Sequence, residues 1–399
     1  MLAFWSSFIF IFLLAQKIYK NTTCIYDHTS CIIRSMKTPK YFSLMEQLKK
    51  DMIEGRIKPG DKLPSENELS ERYDISRHTV RKALSILAND GFVVAEHGRG
   101  TFCSGERIGK GRSGNSQNIA VITTYISDYI FPRLIQGIDR VLTEEGYSIF
   151  LKNTGNSRKN EERCLSDILT KDIDGLIIEP SKSEIYCRNL TQYKMLDEMG
   201  VPYVFIQGTY MQLKDKPNIV MDDVKGGYMV TNYLVSLGHK NIAGIFKNDD
   251  TQGKMRHKGY VRALQEAGIP YNPDLVTWFH TEDRDVKPAE TVRQMIEDGI
   301  DFDAIVCYND QIAMEVISVL IKYGVKVPEN VSVTGYDNSF MAMASPVRLT
   351  TIAHPQDKLG EMAAELLLEK IKHIPDSESK VARVIEPELI IGDSCKKRT

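Results

Sequence analysis

Between Pro39 and Gly55 the apolar residues Leu44, Leu48, Met52 and Ile53 recur at helical spacing, so YFSLMEQLKKDMIEG predicts an amphipathic helix closed by the glycine. After the turn residues KPGDKLP, Ser65 stands three positions before Glu68, the spacing of a capping box, and opens a second helix over ENELSERY. Asp74-Ile75 breaks the pattern. Ser76 then caps a third helix, RHTVRKALSILAND, whose Val80, Ala83, Leu84 and Leu87 form the inner stripe and whose end is marked by Gly91. Next comes FVVAEHGRGTF, two short apolar runs about His97-Gly98-Arg99-Gly100, which predict the strands and tip of a β-wing. From Asn118 the rhythm changes again. Continuous apolar runs (NIAVITT, YSIFLKN, DGLIIE, PYVFIQ, NIAGIF, DAIVCYN and VSVTGY) alternate with helical patterns, the signature of parallel strands buried on both faces. So many units exceed one compact sheet. An α/β body of two parallel sheets with a ligand cleft between them fits the pattern, a single large barrel being the alternative.

The segment SGERIGKGRSGNSQ, residues 104–117, has no apolar periodicity and predicts a flexible linker. Its Gly109-Lys110 pair lacks the spacing and the following hydroxyl residue of a phosphate loop. The expected layout is therefore an N-terminal extension over 1–35, a winged helix-turn-helix over 37–103, the linker, and a two-lobed domain over 118–392. In the extension, LAFWSSFIFIFLL is shorter than the roughly 20 apolar residues of a membrane span, and no Lys or Arg precedes it. We expect a native start at Met36, with an anchor and a cleaved signal as the competing readings, and hence no membrane association.

Composition adds little until it is read locally. Hydrophobic residues make up 42% and charged residues 26% of 399 positions, ordinary globular proportions, and a net charge of −2 neither supports nor excludes nucleic acid. The seven cysteines form no C-x-x-C pair, which argues against a disulfide framework or zinc site and for reduced thiols in the cytoplasm. Locally the picture sharpens. No acid occurs between Asp74 and Asp90, while Arg77, His78, Thr79, Arg81 and Lys82 crowd the first turns of the third helix, where donors reach base edges and phosphates together. In the α/β body, polar residues follow the strands directly: Tyr125, Ser127, Asp128 and Tyr129, then Glu179, Gln207, Asn309 with Asp310, and Asp337. Each alone reads equally as a turn former or helix cap, Asp310 in particular as the cap of QIAMEVISVL. Together, amides, carboxylates and aromatic rings suit a neutral polyhydroxyl ligand. Without a metal-ligand spacing, nucleophile elbow or dinucleotide fingerprint, binding is expected rather than catalysis, with no metal and no cofactor.

Two resemblances follow. LPSENELSERYDISRHTVRKALSILANDGFVVAEHGRGTF resembles the winged helix-turn-helix of GntR-type transcription regulators. It implies that Asn67, Ser76, Arg77, His78, Thr79 and Arg81, with His97 and Gly98 on the wing, touch double-stranded operator DNA; His78 departs from the small hydroxyl residue common at its position. LVSLGHKNIAGI, MRHKGYVRAL, DAIVCYNDQIAMEVI, VPENVSVTGYDNS and LTTIAHPQDKLGEMAAELLLE resemble the sugar-binding core of lactose-repressor-type regulators. That likeness implies effector contacts at Gln207, Arg256, Asn309 and Asp337, with Gln356 in place of an aromatic lining residue; the usual headpiece and hinge helix are missing. His354 reads as either a rim contact or a structural residue. The pairing itself, with TTYISDYIFPRLIQGI, DGLIIEPSKS, MDDVKGGYM, FKNDDTQGKMRHKGY and EPELII, is similar to the arabinose-responsive repressors of Gram-positive bacteria. It implies L-arabinose as effector and a cytoplasmic homodimer. The same architecture answering another sugar, or an exported solute-binding protein, stands as the rival.

Overall fold

The structure, a computed structural model, describes residues 40–398 apart from 54, 90, 97, 105–115, 127–129, 345–346 and 374–381. The expected extension and nearly all of the expected linker lie outside the described residues. The chain divides into two compact units, Met1–Ser113 and Gly114–Thr399.

In the first unit, α1 (Lys40–Ile53), α2 (Glu66–Arg72) and α3 (Arg77–Asn89) precede a hairpin of β1 (Val93–Glu96) and β2 (Gly100–Cys103). The stripes read from the sequence meet in one core, where Leu44, Leu48, Met52, Leu69, Val80, Leu84 and Leu87 are buried with Leu63 and Val93. The capping box forms: Ser65 accepts from the Glu68 N–H, and the Glu68 carboxylate accepts from the Ser65 N–H at 2.7 Å. Ser76 caps α3 by accepting from the Thr79 N–H. The hairpin runs antiparallel from Val93↔Cys103 to Glu96↔Gly100, and its tip needs positive φ at Gly98 and Gly100.

The second unit holds two parallel sheets side by side, not a barrel. The first contains β3 (Asn118–Thr123), β4 (Ser148–Asn153), β5 (Gly175–Ile178), β6 (Tyr203–Ile206), β7 (Asn218–Met221) and, from the far end of the chain, β13 (Ala382–Ile385). Their order is β13-β7-β6-β5-β3-β4, every neighbour parallel. The second sheet, ordered β11-β10-β8-β9, is built from β8 (Ile242–Lys247), β9 (Val276–Phe279), β10 (Ala304–Cys307) and β11 (Ser332–Thr334). A small antiparallel pair, β12 (Thr351–Ala353) and β14 (Glu388–Ile390), adjoins it. Each of the seven apolar runs is a strand. The chain crosses between lobes after β7, after β12 and after β13.

Helices α4 (Phe131–Glu144), α5 (Arg158–Leu169), α6 (Leu190–Glu198) and α12 (Gln356–Ile371) cover the first sheet. Helices α7 (Asp223–Ser236), α8 (Thr251–Glu266), α9 (Lys287–Glu297), α10 (Asp310–Lys322) and the short α11 (Phe340–Ala344) belong to the second. Glycines at 227 and 259 let the α7 and α8 backbones touch: a Cβ on Gly227 would stand 2.2 Å from the Arg256 carbonyl oxygen. That approach seats Arg256. Among the described residues no helix is long and apolar enough to cross a membrane.

Candidate functional site

The outer face of α3 presents Arg77, His78, Arg81 and Lys82, all exposed, and Asn67 is exposed on the first turn of α2. Arg81 is not a free donor. Its Nε and Nη2 fork onto both carboxylate oxygens of Glu66 at 3.1 and 2.8 Å, and this bond holds the Glu66 carboxyl below its ordinary range. The carboxylate orients the guanidinium and leaves its remaining N–H groups outward. Lys82 Nζ lies 4.0 Å from the Tyr41 ring centroid, fastening α3 to α1. The Ser76 and Thr79 hydroxyls lie 2.8 Å apart within the cap, so both are engaged locally. On the wing, Gly98 is exposed and Arg99 pairs with Glu96 at 2.6 Å, while His97 lies outside the described residues. The sequence reading missed Glu66, because a pairing across fifteen residues leaves no local signature.

In the second unit a cavity of about 400 Å³ opens between the lobes, lined mostly by residues at or just beyond the ends of the strands, with Arg256 of α8 and Met341 of α11 added from helices. The first lobe supplies Thr124, Tyr125, Phe131, Asn156, Glu179 and Gln207. The second supplies Lys247, Asp250, Arg256, Arg284, Tyr308, Asn309 and Asp337. Of the residues named from the sequence, Tyr125, Glu179, Gln207, Arg256, Asn309 and Asp337 come together here, while Asp128 and Tyr129 lie outside the described residues. His354 is not on the wall: it is buried behind Gln207, with Nε2 at 2.9 Å from Gln207 Oε1. Nor is Asp310 the cap of α10. Asn309 performs that role, its Oδ1 accepting from the Ile312 N–H, and Asp310 is buried, accepting from Ser339 N–H and the Thr351 hydroxyl.

Arg256 organises the second-lobe wall. Nε donates to Asp223 at 2.8 Å, Nη1 to the Tyr308 carbonyl at 2.7 Å, and Nη2 stands 3.7 Å from Asp337. Its guanidinium lies 3.5 Å from the Tyr336 ring centroid and 4.8 Å from that of Tyr308. The fork is thus aimed before any ligand arrives. Burial pushes Asp223 up to about 6 against the pull of Arg256. Burial also raises Glu179 to about 7, although Thr124 donates both its N–H and its hydroxyl to Oε2, at 2.7 and 2.6 Å. Lys247 pairs with Asp250 at 2.9 Å; burial opposes its charge, but Asp250 and Asp249 outweigh that and raise its pKa. Tyr308 hydroxyl completes this group by donating to Asp250 at 2.7 Å. Gln207 and Asp337 hold left-handed backbones, φ +66° and +98°, strain of the kind that accumulates where side chains are aimed at a ligand.

The lobes also touch each other. Asn156 donates to Thr281 at 2.7 Å, the Thr251 N–H donates to Ser183 at 2.9 Å, and Lys182 reaches Asp249 and Glu282 across the mouth. Arg284 lies 5.6 Å from the Tyr125 ring centroid. The arrangement offers donors, acceptors and ring faces to an uncharged polar molecule, from two bodies joined by three crossings.

Residues 40–103 match the family described as bacterial regulatory proteins, gntR family, and residues 231–395 match the periplasmic binding protein-like domain. Joined in one chain, these define a transcription regulator whose DNA-reading unit is paired with a ligand-binding domain. A protein of Halalkalibacterium halodurans named arabinose metabolism transcriptional repressor is 42% identical over 364 residues, 89% of this chain and 96% of its own. A Geobacillus stearothermophilus protein of the same name is 37% identical over 362 residues, 90% of this chain and 98% of its own. The chain belongs to this family of arabinose metabolism transcriptional repressors, regulators rather than enzymes. The crystal structure of the transcription regulator CcpA of Lactococcus lactis superposes with a TM-score of 0.62 at 26% identity, covering 70% of this chain and 99% of that one.

Proposed function

We propose that this repressor is released from its operator by L-arabinose bound between the lobes. The observation that carries the reading is the cleft: a cavity of about 400 Å³ whose wall joins the amide of Gln207, the fork of Arg256, the carboxyls of Glu179 and Asp337 and the ring of Tyr125. Amides and carboxyls hold sugar hydroxyls, an aromatic ring covers a C–H face, and no cofactor is needed for either task. The names of the relatives from H. halodurans and G. stearothermophilus support arabinose over other sugars. On the DNA side, Asn67, Ser76, Arg77, His78, Thr79 and Arg81, with His97 and Gly98 of the wing, meet the operator. Two copies of the chain, acting as a cytoplasmic homodimer, place two recognition helices in successive major grooves of a near-palindromic site.

Sugar binding releases the operator only if the sugar prefers the conformation that binds DNA less well. Reciprocally, operator DNA weakens sugar binding by the same factor. The test is a fluorescence-anisotropy titration of the full chain onto a labelled fragment from upstream of an arabinose-operon gene, at fixed salt. Tight binding released by L-arabinose but not by D-xylose is the expected result. Tight binding indifferent to every pentose would overturn the effector assignment, and sugar affinity unchanged by saturating operator would overturn the coupling.

A further inference from the structure

Behind the cleft lies an imidazole that does not reach it. His354 stands in the crossing between β12 and α12, is 4% exposed, and meets Gln207 Oε1 through Nε2 at 2.9 Å. Its other nitrogen, Nδ1, is buried without a hydrogen-bond partner among the described residues. Burial drives the ring's pKa down to about 4, so at neutral pH one nitrogen carries a proton and the other a lone pair. A proton on Nδ1 would be a buried donor with no acceptor in hydrogen-bond geometry among the described residues; the ring's own backbone carbonyl favours the charged ring only weakly. A proton on Nε2 is satisfied by Gln207, and only a lone pair is left bare, the smaller penalty. The tautomer is therefore Nε2–H, donating. This engages the oxygen of the Gln207 amide and leaves its NH2 turned to the cavity that Gln207 lines. The left-handed backbone of Gln207, φ +66°, marks the position as built rather than incidental.

We propose that His354 is a positioning residue that sets the hydrogen-bond polarity of the effector site: acting through Gln207, it makes that point of the wall a donor. The inference rests on the reading of the cleft as a sugar site and names what the sugar must present there, an oxygen lone pair from a ring oxygen or a hydroxyl. A group that offers only donors, such as the ammonium of an amino sugar, is rejected at this point.

Two measurements on the full chain test it. The first is the nitrogen chemical shifts of His354 in the sugar-free protein, assigned by comparison with His354→Gln. The expected pattern is Nε2–H with a bare Nδ1; an Nδ1–H ring overturns the proposal. The second is a double-mutant cycle read by L-arabinose affinity. His354→Met frees the Gln207 amide to turn and weakens binding about ten- to hundredfold. His354→Gln, which can present an N–H where Nε2 stood, restores binding to within about threefold. In a Gln207→Leu background, His354→Met changes nothing more. Additive losses in the cycle would overturn the proposal, because a residue that merely fills space acts with or without the Gln207 amide. Wild-type protein that binds no L-arabinose would refute the effector reading alone, since the tautomer measurement uses no sugar.

Discussion

The DNA-reading helix and the effector cleft each centre on an arginine paired with a carboxylate, and they hold it in opposite ways. Arg81 and Glu66 leave 72% and 36% of their side chains exposed, whereas Arg256 and Asp223 leave 6% and 7%. In the open the pair is screened by water and salt and contributes little to folding, so its value lies in holding a donor fork ready for an external anion. In the cleft both ions have lost their hydration, and each is tolerable only while the other is present. A residue on the first surface can be removed at the expense of its partner molecule alone. A residue in the second cannot be removed without disturbing the domain that holds it.

Arg256→Ala should have the largest effect. It leaves Asp223 and Asp337 facing each other in the interior, a change that costs about 3–5 kcal/mol. The expected outcome is a destabilised second unit that no longer answers L-arabinose, while operator binding by the first unit persists; urea unfolding and anisotropy with sugar check both. Sugar release at wild-type concentrations would erase the contrast between the regions. Glu179→Gln probes the same burial through pH. The folded Glu179 carboxyl titrates near 7 against a usual 4.5, so the stability it contributes is complete below about pH 4.5 and is lost as pH rises through 7. At about 1.4 kcal/mol per unit, the loss approaches about 3 kcal/mol by pH 8. Asp310, raised by burial to about 7, and Asp223, raised to about 6, add slope of the same sign, while His354, lowered to about 4, opposes them below about pH 6.5 without outweighing the three carboxyls. Urea titrations from pH 5 to 8 should therefore show wild-type stability falling as pH rises, and Glu179→Gln falling less steeply. An unchanged slope would mean that Glu179 is ionised in the native cleft.

How much of each region could be read from the sequence follows from the same contrast. On α3 the cap at Ser76, the apolar stripe and the run without acids occupy one continuous stretch, so periodicity and charge expose the module directly. The apolar runs mark strands equally well, six because burial on both faces makes them uniform, whereas β4, at the sheet edge, alternates exposed and half-buried positions. The strands missed include β7, whose NIVM follows the polar stretch KDKP, and β13, whose ARVI mixes a charge into the apolar run. The cleft is legible where the strand-end rule applies, at Tyr125, Glu179, Gln207, Asn309 and Asp337, and at Arg256 through the family resemblance alone. Lys247 ends β8, and Asp250 and Tyr308 follow strands, yet a lysine or aspartate at a strand end reads as turn chemistry until its partners are known. Pairs such as Lys182 with Asp249, or His354 with Gln207, join distant stretches of chain and leave no periodic trace. Of the two roles the sequence offers Asp310, ligand contact or helix cap, the cap falls instead to the asparagine before it.

The exposed region is tested by smaller effects. Arg81→Ala should weaken operator binding by about 1–3 kcal/mol, with sugar affinity and melting temperature unchanged, because its pair with Glu66 lies in solvent. A comparable loss of stability would show that α2 and α3 depend on the pair for their packing. The smallest change is expected at Arg99, whose side chain is 74% exposed beside Glu96 at the wing tip. Its ion pair is screened and its backbone belongs to a turn, so Arg99→Ala should move folding stability by no more than about 0.5 kcal/mol. If Arg99 instead meets a phosphate, the logarithm of operator affinity should fall less steeply with the logarithm of salt concentration, by about one unit of slope, and uniformly across operator sequences. A slope unchanged from wild type would take Arg99 out of the DNA interface and leave sequence reading to α3.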